Sequence, residues 1–133
     1  MPNLTLHANT AADLMTPGPV SLAASVTVAE AAAFLTERGF GAATVINAGG
    51  RPVGVVTKTD IVNHARHHGT SPADTTPVTQ IMTPAVFTVR VEMSAASVIE
   101  QLLEVGVHHL FVIDPSGIVV GIISPIDVLR KLK

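Results

Sequence analysis

The sequence predicts a mixed α/β (α+β) fold made of two tandem β-α-β-β-α repeats. The first observation is an internal repeat without gaps, in which Met15-Thr16-Pro17 recurs as Met82-Thr83-Pro84, 67 residues later. The same offset brings Asp60 onto Asp127. The second observation is that strand and helix patterns follow one another in the same order in both halves. One offset that holds through turns, strands and helices indicates a duplicated structural unit.

The repeat divides the chain into residues 11–66 and residues 78–133. The joint between them, residues 69–77, is rich in Gly, Pro, Ser and Thr, which is typical of a linker. A single copy of about 50 residues has a small core and would be marginally stable. We therefore expect the two copies to pack face to face as a pseudo-two-fold pair, with a cleft at the joint.

The longer helix of each repeat is the clearest local prediction. Apolar residues recur at helical spacing in 28–38 and in 95–105. Gly39 follows the first of these segments and Gly106 the second, and glycine is the residue that most often ends a helix. Both segments are therefore predicted to be helices that end at a glycine.

Short apolar runs rich in β-branched residues surround these helices and predict strands. The predicted strands are 20–22, 43–46 and 53–57 in the first repeat, and 86–89, 110–113 and 119–124 in the second. Turn-forming residues separate the last two strands of each repeat, and a short helix closes each repeat, at 60–67 and at 126–132.

Composition excludes several classes of function. The chain has 133 residues, 47% hydrophobic and 14% charged, with a net charge of −2, no Trp and no Tyr. This gives neither the basic field nor the aromatic surface that nucleic-acid binding needs. No run approaches the roughly 20 apolar residues of a membrane span, and the first ten residues do not resemble a signal peptide. With no cysteine, the chain fits a reducing cytoplasm, which is the location we expect.

The sequence contains no arrangement typical of an enzyme. We find no nucleophile–base pair, no phosphate-loop lysine motif and no paired carboxylates in a supporting context. His64 and His68 have the spacing of a two-histidine metal pair on one helix face, but no third ligand is apparent. We therefore predict no catalytic residues, no cofactor and no metal, and interpret the histidines as a solvated helix end.

One motif appears in both repeats. Residues 50–60 read GRPVGVVTKTD and residues 117–127 read GIVVGIISPID. Together with the Met-Thr-Pro segments, they resemble the CBS domain family and its tandem pair, the Bateman module. The resemblance implies a regulatory module that binds AMP, ADP, ATP or S-adenosylmethionine in the cleft between repeats. It also implies a homodimer and an unidentified regulated partner. The alternative is a ligand-free module for dimerisation or protein interaction.

The repeated motif supplies the first candidate site residues. Thr57 and Asp60, like Ser124 and Asp127, place a hydroxyl three residues before a carboxylate at a helix start, which is a variant of the capping box. The same groups suit a nucleotide, because free helix N–H groups favour phosphate. Each carboxylate could also accept two hydrogen bonds from ribose hydroxyls. Capping and ligand binding both remain open.

Neighbouring residues make the two copies unequal. Lys58 could reach a phosphate or be solvated, and the second copy has Pro125 at this position. His108 and His109 resemble a Val-His-basic-Leu stretch of the regulatory subunits of AMP-activated kinases, whose polar residues meet phosphate. The alternative is that one histidine packs in an interface and the other is solvated. The first copy has Gly41-Ala42 there, which cannot contact phosphate.

An adenine ring needs an apolar slot. Candidates by position are Val20, Phe87 and Ile123, with Ile46, Val56 and Val86 beside them. For most of these residues the alternative is a plain core position. Arg51 and Arg90 are further candidates for phosphate contact.

Overall fold

A computed structural model of the chain describes residues 4–18, 20–69 and 74–133. The elements in chain order are α1 (Ala11–Leu14), β1 (Thr16–Pro17), β2 (Ser21–Ala23), α2 (Val28–Arg38), β3 (Ala42–Ile46), β4 (Pro52–Thr57), α3 (Lys58–His68), a 3₁₀ turn (Val78–Gln80), β5 (Thr88–Arg90), α4 (Ala95–Val105), β6 (Leu110–Ile113), β7 (Val119–Ile123) and α5 (Pro125–Arg130).

The chain forms two compact units. The central unit is Val20–Val86, and the terminal unit combines Met1–Pro19 with Phe87–Lys133. Each unit contains one copy of the predicted strand, helix, strand, strand, helix order. The predicted α+β class with two such repeats is confirmed.

The central unit is built on the sheet β2-β3-β4. Strand β2 pairs parallel with β3 through the crossover helix α2, and β3 pairs antiparallel with β4. Alternate residues of β3 and the apolar stripe of α2 face one another and form the core. Its buried members are Leu22, Ala31, Leu35, Ala43, Val45, Val56 and Val78.

The terminal unit repeats this plan and adds one strand. Its sheet has the order β1-β7-β6-β5, in which β5 and β6 are parallel and the other pairs are antiparallel. Helix α4 supplies the apolar stripe that covers the sheet. The buried core residues are Ala11, Leu14, Val89, Ala95, Val98, Leu102, Leu110, Val112, Ile123 and Val128.

The compact units differ from the sequence repeats at the Met-Thr-Pro segments. Thr16, at the start of the first repeat, pairs with Ile122 in β7 of the second repeat. Thr83, at the start of the second repeat, forms a bridge with Val55 in β4 of the first. The opening segment of each repeat, Met15–Pro17 in the first and Met82–Pro84 in the second, therefore lies against the last strand of the other repeat. Of the predicted linker 69–77, residues 70–73 lie outside the described residues.

Helices α2 and α4 have the bounds predicted from the sequence, because local signals fix both ends. Glu30 N–H donates to the Thr27 hydroxyl and Thr27 N–H donates to the Glu30 carboxylate, each at 3.1 Å. The Ser94 hydroxyl caps α4 in the same position. Gly39 and Gly106 end the two helices with φ of 69° and 72°, in the left-handed region that glycine adopts without strain.

Other boundaries differ slightly from the prediction. Strands β2 and β5 begin one and two residues later than predicted, although the carbonyls of Val20 and Phe87 already accept hydrogen bonds across the sheet. Helices α3 and α5 begin earlier, at Lys58 and Pro125, because the preceding hydroxyl residue is itself the N-cap.

Candidate functional site

The start of helix α3 carries the motif of the first repeat. Thr57 is the N-cap, and its hydroxyl accepts a hydrogen bond of 3.1 Å from Asp60 N–H. Thr57 N–H donates in return to Asp60 Oδ2 at 2.8 Å. The capping box predicted from the sequence is confirmed here. The box uses only one of the two carboxylate oxygens of Asp60.

The second oxygen of Asp60 is unoccupied. Asp60 is half-buried, and Oδ1 accepts no hydrogen bond within the part of the chain that the structure describes. Lys58, beside it at the first helical position, is exposed, and its backbone N–H donates to Gly41. The helix start thus combines a carboxylate oxygen that accepts no hydrogen bond from the described residues with an exposed cation.

The start of helix α5 carries the second copy of the motif, with a different bonding pattern. Asp127 is buried, with 5% of its surface exposed. Ser124 donates to Oδ2 from both its backbone N–H and its hydroxyl, each at 2.8 Å. The Thr16 hydroxyl donates to Oδ1 at 2.6 Å, and Arg130 Nη1 lies 3.6 Å from the same oxygen. Both oxygens of Asp127 are therefore engaged.

Strand β1 brings Thr16 to Asp127. β1 lies along β7, and α5 begins directly after β7, so a residue opposite Ile122 is close to the helix start. Gly121 makes this approach possible, because a Cβ atom there would lie 2.5 Å from Met15 Sδ and 3.0 Å from the Thr16 carbonyl oxygen.

The equivalent segment of the second repeat, Met82–Pro84, packs against Gly54 of the central unit in the same way. A Cβ atom at Gly54 would lie 2.5 Å from Met82 Sδ and 2.8 Å from the Thr83 carbonyl oxygen. The Thr83 side chain is nevertheless exposed, and among the described residues its hydroxyl makes no hydrogen bond to Asp60. The two segments are alike in backbone position and unlike in side-chain bonding.

The structure divides the predicted site residues between the two units. The central unit holds Val20, Thr57, Lys58 and Asp60, and the terminal unit holds Phe87, His108, His109, Ile123, Ser124 and Asp127. Val20 and Ile123 are fully buried, whereas Phe87 is 42% exposed. His108 is exposed and His109 half-buried, both just before β6. Their roles in binding stay predictions.

Sequence reasoning missed Thr16, which no local pattern marks as a partner of Asp127. The two residues are 111 positions apart and meet only through the pairing of β1 with β7. The signal that could have found this contact is the repeated Met-Thr-Pro together with Gly54 and Gly121, each of which precedes two apolar residues in its motif. A Met-Thr-Pro segment packs closely against each of these glycines.

The sequence interpretation of the histidines as solvated is wrong for His64. This residue is buried, and its Nε2 lies 2.6 Å from Asp74 Oδ2. Thr76 donates to Asp74 Oδ1 from its hydroxyl at 2.6 Å and from its backbone N–H at 2.9 Å. The Thr76 hydroxyl and N–H, with a smaller contribution from His64, hold the pKa of the Asp74 carboxyl well below its usual value.

His68 lies against this cluster. Its ring stacks on that of His64 with 4.6 Å between the ring centroids, and its Nδ1 is 3.3 Å from the His64 carbonyl oxygen. Among residues 4–18, 20–69 and 74–133, no group of three or more His, Cys, Asp or Glu side chains is arranged to hold a metal ion. No helix in those same ranges is long and apolar enough to cross a membrane.

Comparison with known proteins gives the family. A model described as the CBS domain matches twice, over residues 11–67 and 78–133, and the chain therefore belongs to the CBS domain family. The uncharacterized protein MK0525 of Methanopyrus kandleri is 27% identical over 118 residues. The uncharacterized 17.7 kDa protein in the bps2 3' region of Acidianus ambivalens is 33% identical over 108 residues. The alignments cover 89% and 81% of this chain but only 57% and 63% of those relatives.

Solved structures share the fold. The CBS-domain containing protein ATU1752 from Agrobacterium tumefaciens is 26% identical with a TM-score of 0.75, over 92% of this chain and 98% of that chain. CBSX2 in complex with AMP is 26% identical with a TM-score of 0.69, over 91% and 93%. The CBS domain pair of MJ0100, in complex with 5'-methylthioadenosine and S-adenosyl-L-methionine, is 22% identical with a TM-score of 0.77, over 96% and 94%, and shows the fold alone.

Proposed function

We propose that this chain is a non-catalytic regulatory module that binds an adenine nucleotide (AMP, ADP or ATP) or S-adenosylmethionine. The observation that carries the proposal is half-buried Asp60 at a helix start in the family's repeated motif, where one carboxylate oxygen accepts no hydrogen bond from any residue that the structure describes. The similarity to CBSX2, a structure in complex with AMP, supports an adenosyl ligand. The chain spans less than two thirds of the length of these two curated relatives. A regulatory role for the whole protein is therefore part of the proposal.

The chemistry of the α3 start suits a ribose phosphate. A carboxylate oxygen accepts hydrogen bonds from ribose hydroxyls, and charge makes such bonds stronger than neutral ones. The positive end of the α3 dipole and the exposed ammonium of Lys58 both favour phosphate nearby. Thr57 contributes by holding Asp60 in place through the capping box.

The other predicted site residues are proposed as further ligand contacts, each within its own unit. Phe87 exposes part of its ring and could supply an apolar face for adenine. His108 is exposed and could donate to a phosphate oxygen, with His109 beside it. Val20 and Ile123, which are fully buried, would act by shaping the core behind a ligand rather than by presenting side-chain surface to it.

Calorimetry with AMP, ADP, ATP and S-adenosylmethionine tests the proposal. We expect at least one of them to bind, and Asp60→Asn to weaken it by about ten- to a hundredfold, since hydrogen bonds to a charged group contribute about 1.5–3 kcal/mol. Glu37→Gln, which neutralises an exposed carboxylate at the end of α2, is the matched control and should bind like the wild type. Absence of binding by all four ligands would contradict the proposal.

We further propose that the module forms a homodimer with a second copy of this chain. Exposed apolar side chains on the terminal unit support this, since Leu103 on α4 and Ile126 and Leu129 on α5 all face solvent. Sedimentation equilibrium should give twice the monomer mass, and Leu129→Glu should lower it. A monomeric wild type at all concentrations would contradict the dimer.

The same apolar side chains favour the second candidate function, a ligand-free module for dimerisation or protein interaction. Thermal unfolding with the four ligands separates the two functions. A ligand at about 100 times its dissociation constant adds about 2.7 kcal/mol to the free energy of unfolding. A dimer whose unfolding none of the ligands shifts would favour the second function.

A further inference from the structure

We infer that Thr16 determines how many ligands the chain binds, by occupying the carboxylate of Asp127, so that Asp60 is the open one of the two motif carboxylates. The inference rests on the proposed function and assigns its ribose-binding carboxylate. Two copies of the family motif would ordinarily suggest two equivalent sites. Here the two carboxylates are in different bonding states, and each state follows from contacts within its own unit.

Both oxygens of the Asp127 carboxylate already accept hydrogen bonds from the protein. Three donors from the protein satisfy the carboxylate, namely the Ser124 N–H, the Ser124 hydroxyl and the Thr16 hydroxyl. The side chain is nearly inaccessible, and the Thr16 bond is the shortest of the three, at 2.6 Å. A ribose that approached Asp127 would first have to displace the Thr16 hydroxyl, which would then need another partner.

The bonding of Asp60 is the opposite. Among the described residues, its carboxylate receives one hydrogen bond, from Thr57 N–H. The Thr57 hydroxyl accepts from Asp60 N–H and does not donate to the carboxylate. Thr83 occupies the position equivalent to Thr16 and forms an isolated bridge with Val55 of β4, but it is exposed. Nothing in the described part of the central unit occupies Oδ1 of Asp60.

The Thr16 hydroxyl therefore competes with a ligand hydroxyl for the carboxylate of Asp127. A charge-assisted hydrogen bond that must be broken before binding weakens affinity by about ten- to a hundredfold. The competitor comes from the first repeat and the carboxylate from the second, so the exchange of the opening segments is what creates it. The stronger site is then Asp60, and one ligand binds per chain.

Calorimetry with AMP on wild type and Thr16→Val tests this inference. Valine keeps the β-branched shape of threonine and replaces the hydroxyl with a methyl group, which cannot donate a hydrogen bond. We expect one AMP per chain in the wild type and two in Thr16→Val, with the second lost again in Thr16→Val/Asp127→Asn. Thr16→Ser, which keeps the hydroxyl, should bind one AMP. Thr83→Val is the matched control, because the Thr83 hydroxyl does not contact Asp60, and it should also bind one.

The outcomes separate this inference from the proposed function. If wild type binds AMP at two equal sites, or if Thr16→Val still binds one, Thr16 is only a structural tie between β1 and α5 and the inference is wrong, while the proposed function stands. If wild type binds none of AMP, ADP, ATP and S-adenosylmethionine, both are wrong. If it binds another of the four but not AMP, the same titrations with that ligand decide the inference by the same numbers of sites.

A second measurement needs no variant at all. In wild-type protein with ¹³C-labelled aspartate carboxyls, AMP should shift the Asp60 resonance and leave that of Asp127 in place. A shift of Asp127 at the first equivalent of AMP would overturn the inference even if Thr16→Val did not fold.

Discussion

The sulfur of Met15 lies directly over Gly121, 2.5 Å from where a Cβ atom at that position would be. Met82 and Gly54 have the same relationship in the central unit. In each case the absence of a side chain lets the opening segment of one repeat lie against the last strand of the other. The two glycines are therefore requirements of packing, because neither has the positive φ that would demand glycine for backbone reasons.

Gly121→Ala should lower the free energy of unfolding by about 1–3 kcal/mol, the usual cost of overpacking a close contact. The added methyl group would collide with Met15 Sδ and crowd the Thr16 carbonyl oxygen. Urea denaturation of both proteins measures the difference.

Double variants give the control for this prediction. Adding Met15→Ala to Gly121→Ala should recover part of the lost free energy of unfolding, since the Met15 sulfur lies closer to the new Cβ than the Thr16 carbonyl oxygen does. Adding Met82→Ala to Gly54→Ala should recover less, because the Thr83 carbonyl oxygen remains only 2.8 Å from the new Cβ. Wild-type stability for Gly121→Ala would contradict the close contact.

Asp127→Asn should destabilise the chain more than Asp60→Asn. Asparagine must present its NH₂ group to one of the donors that now face the Asp127 carboxylate, and in a buried position this leaves a donor unsatisfied, at a cost of about 1–3 kcal/mol. Asp60 has one donor and partial exposure, so asparagine can keep that bond through its oxygen. Equal effects in urea denaturation would show that the two carboxylates are bonded alike.

Asp74 should make stability depend on pH in the acid range. Its folded-state pKa is depressed, so its contribution is complete above the unfolded-state pKa of about 3.9 and is lost as pH falls toward the folded value. Urea denaturation from pH 7 to pH 3 should show a falling difference between wild type and Asp74→Asn.

Thr76→Val tests the cause of this pH dependence. The Thr76 hydroxyl is the largest contributor to the depressed pKa of Asp74, so its removal should reduce the difference between pH 7 and pH 3. An unchanged acid profile in Thr76→Val would assign the effect to another group.

Thr27→Ala should cost about 1 kcal/mol of stability, because it removes the N-cap of α2. Thr36→Ala is the matched control on the same helix. Its hydroxyl donates only to the Ala32 carbonyl oxygen, which is already a helical acceptor, and alanine is the better helix former. Thermal unfolding should therefore separate the two variants, and equal losses would argue against capping by Thr27.

The parts of the fold that local patterns encode were predictable from the sequence. Helix α2 has an apolar stripe, a capping threonine and a final glycine, all within its own length, and its predicted bounds are confirmed. The Thr57–Asp60 box was predictable for the same reason, since its two members are three residues apart.

The remaining features depend on contacts between distant segments. The Thr16–Asp127 bond depends on which strand β1 joins, and the repeat alone did not indicate that it would join the other copy. The burial of His64 depends on Asp74, which lies in a segment that composition marks only as a linker. Contacts of this kind cannot be predicted from local sequence patterns, because they depend on which distant segments the tertiary structure brings together.

Because the opening segments are exchanged, the sequence that is repeated and the part of the chain that folds as one compact unit have different boundaries. A fragment cut at the repeat boundary, residues 11–66, would keep its own Met-Thr-Pro but lack Val78, which is fully buried in the core around α2. It would also expose the face of Gly54 that Met82 covers. A single repeat could meet both needs by pairing with a second copy that supplies the missing segment, as in domain swapping, and the duplicated chain makes the same exchange within one molecule.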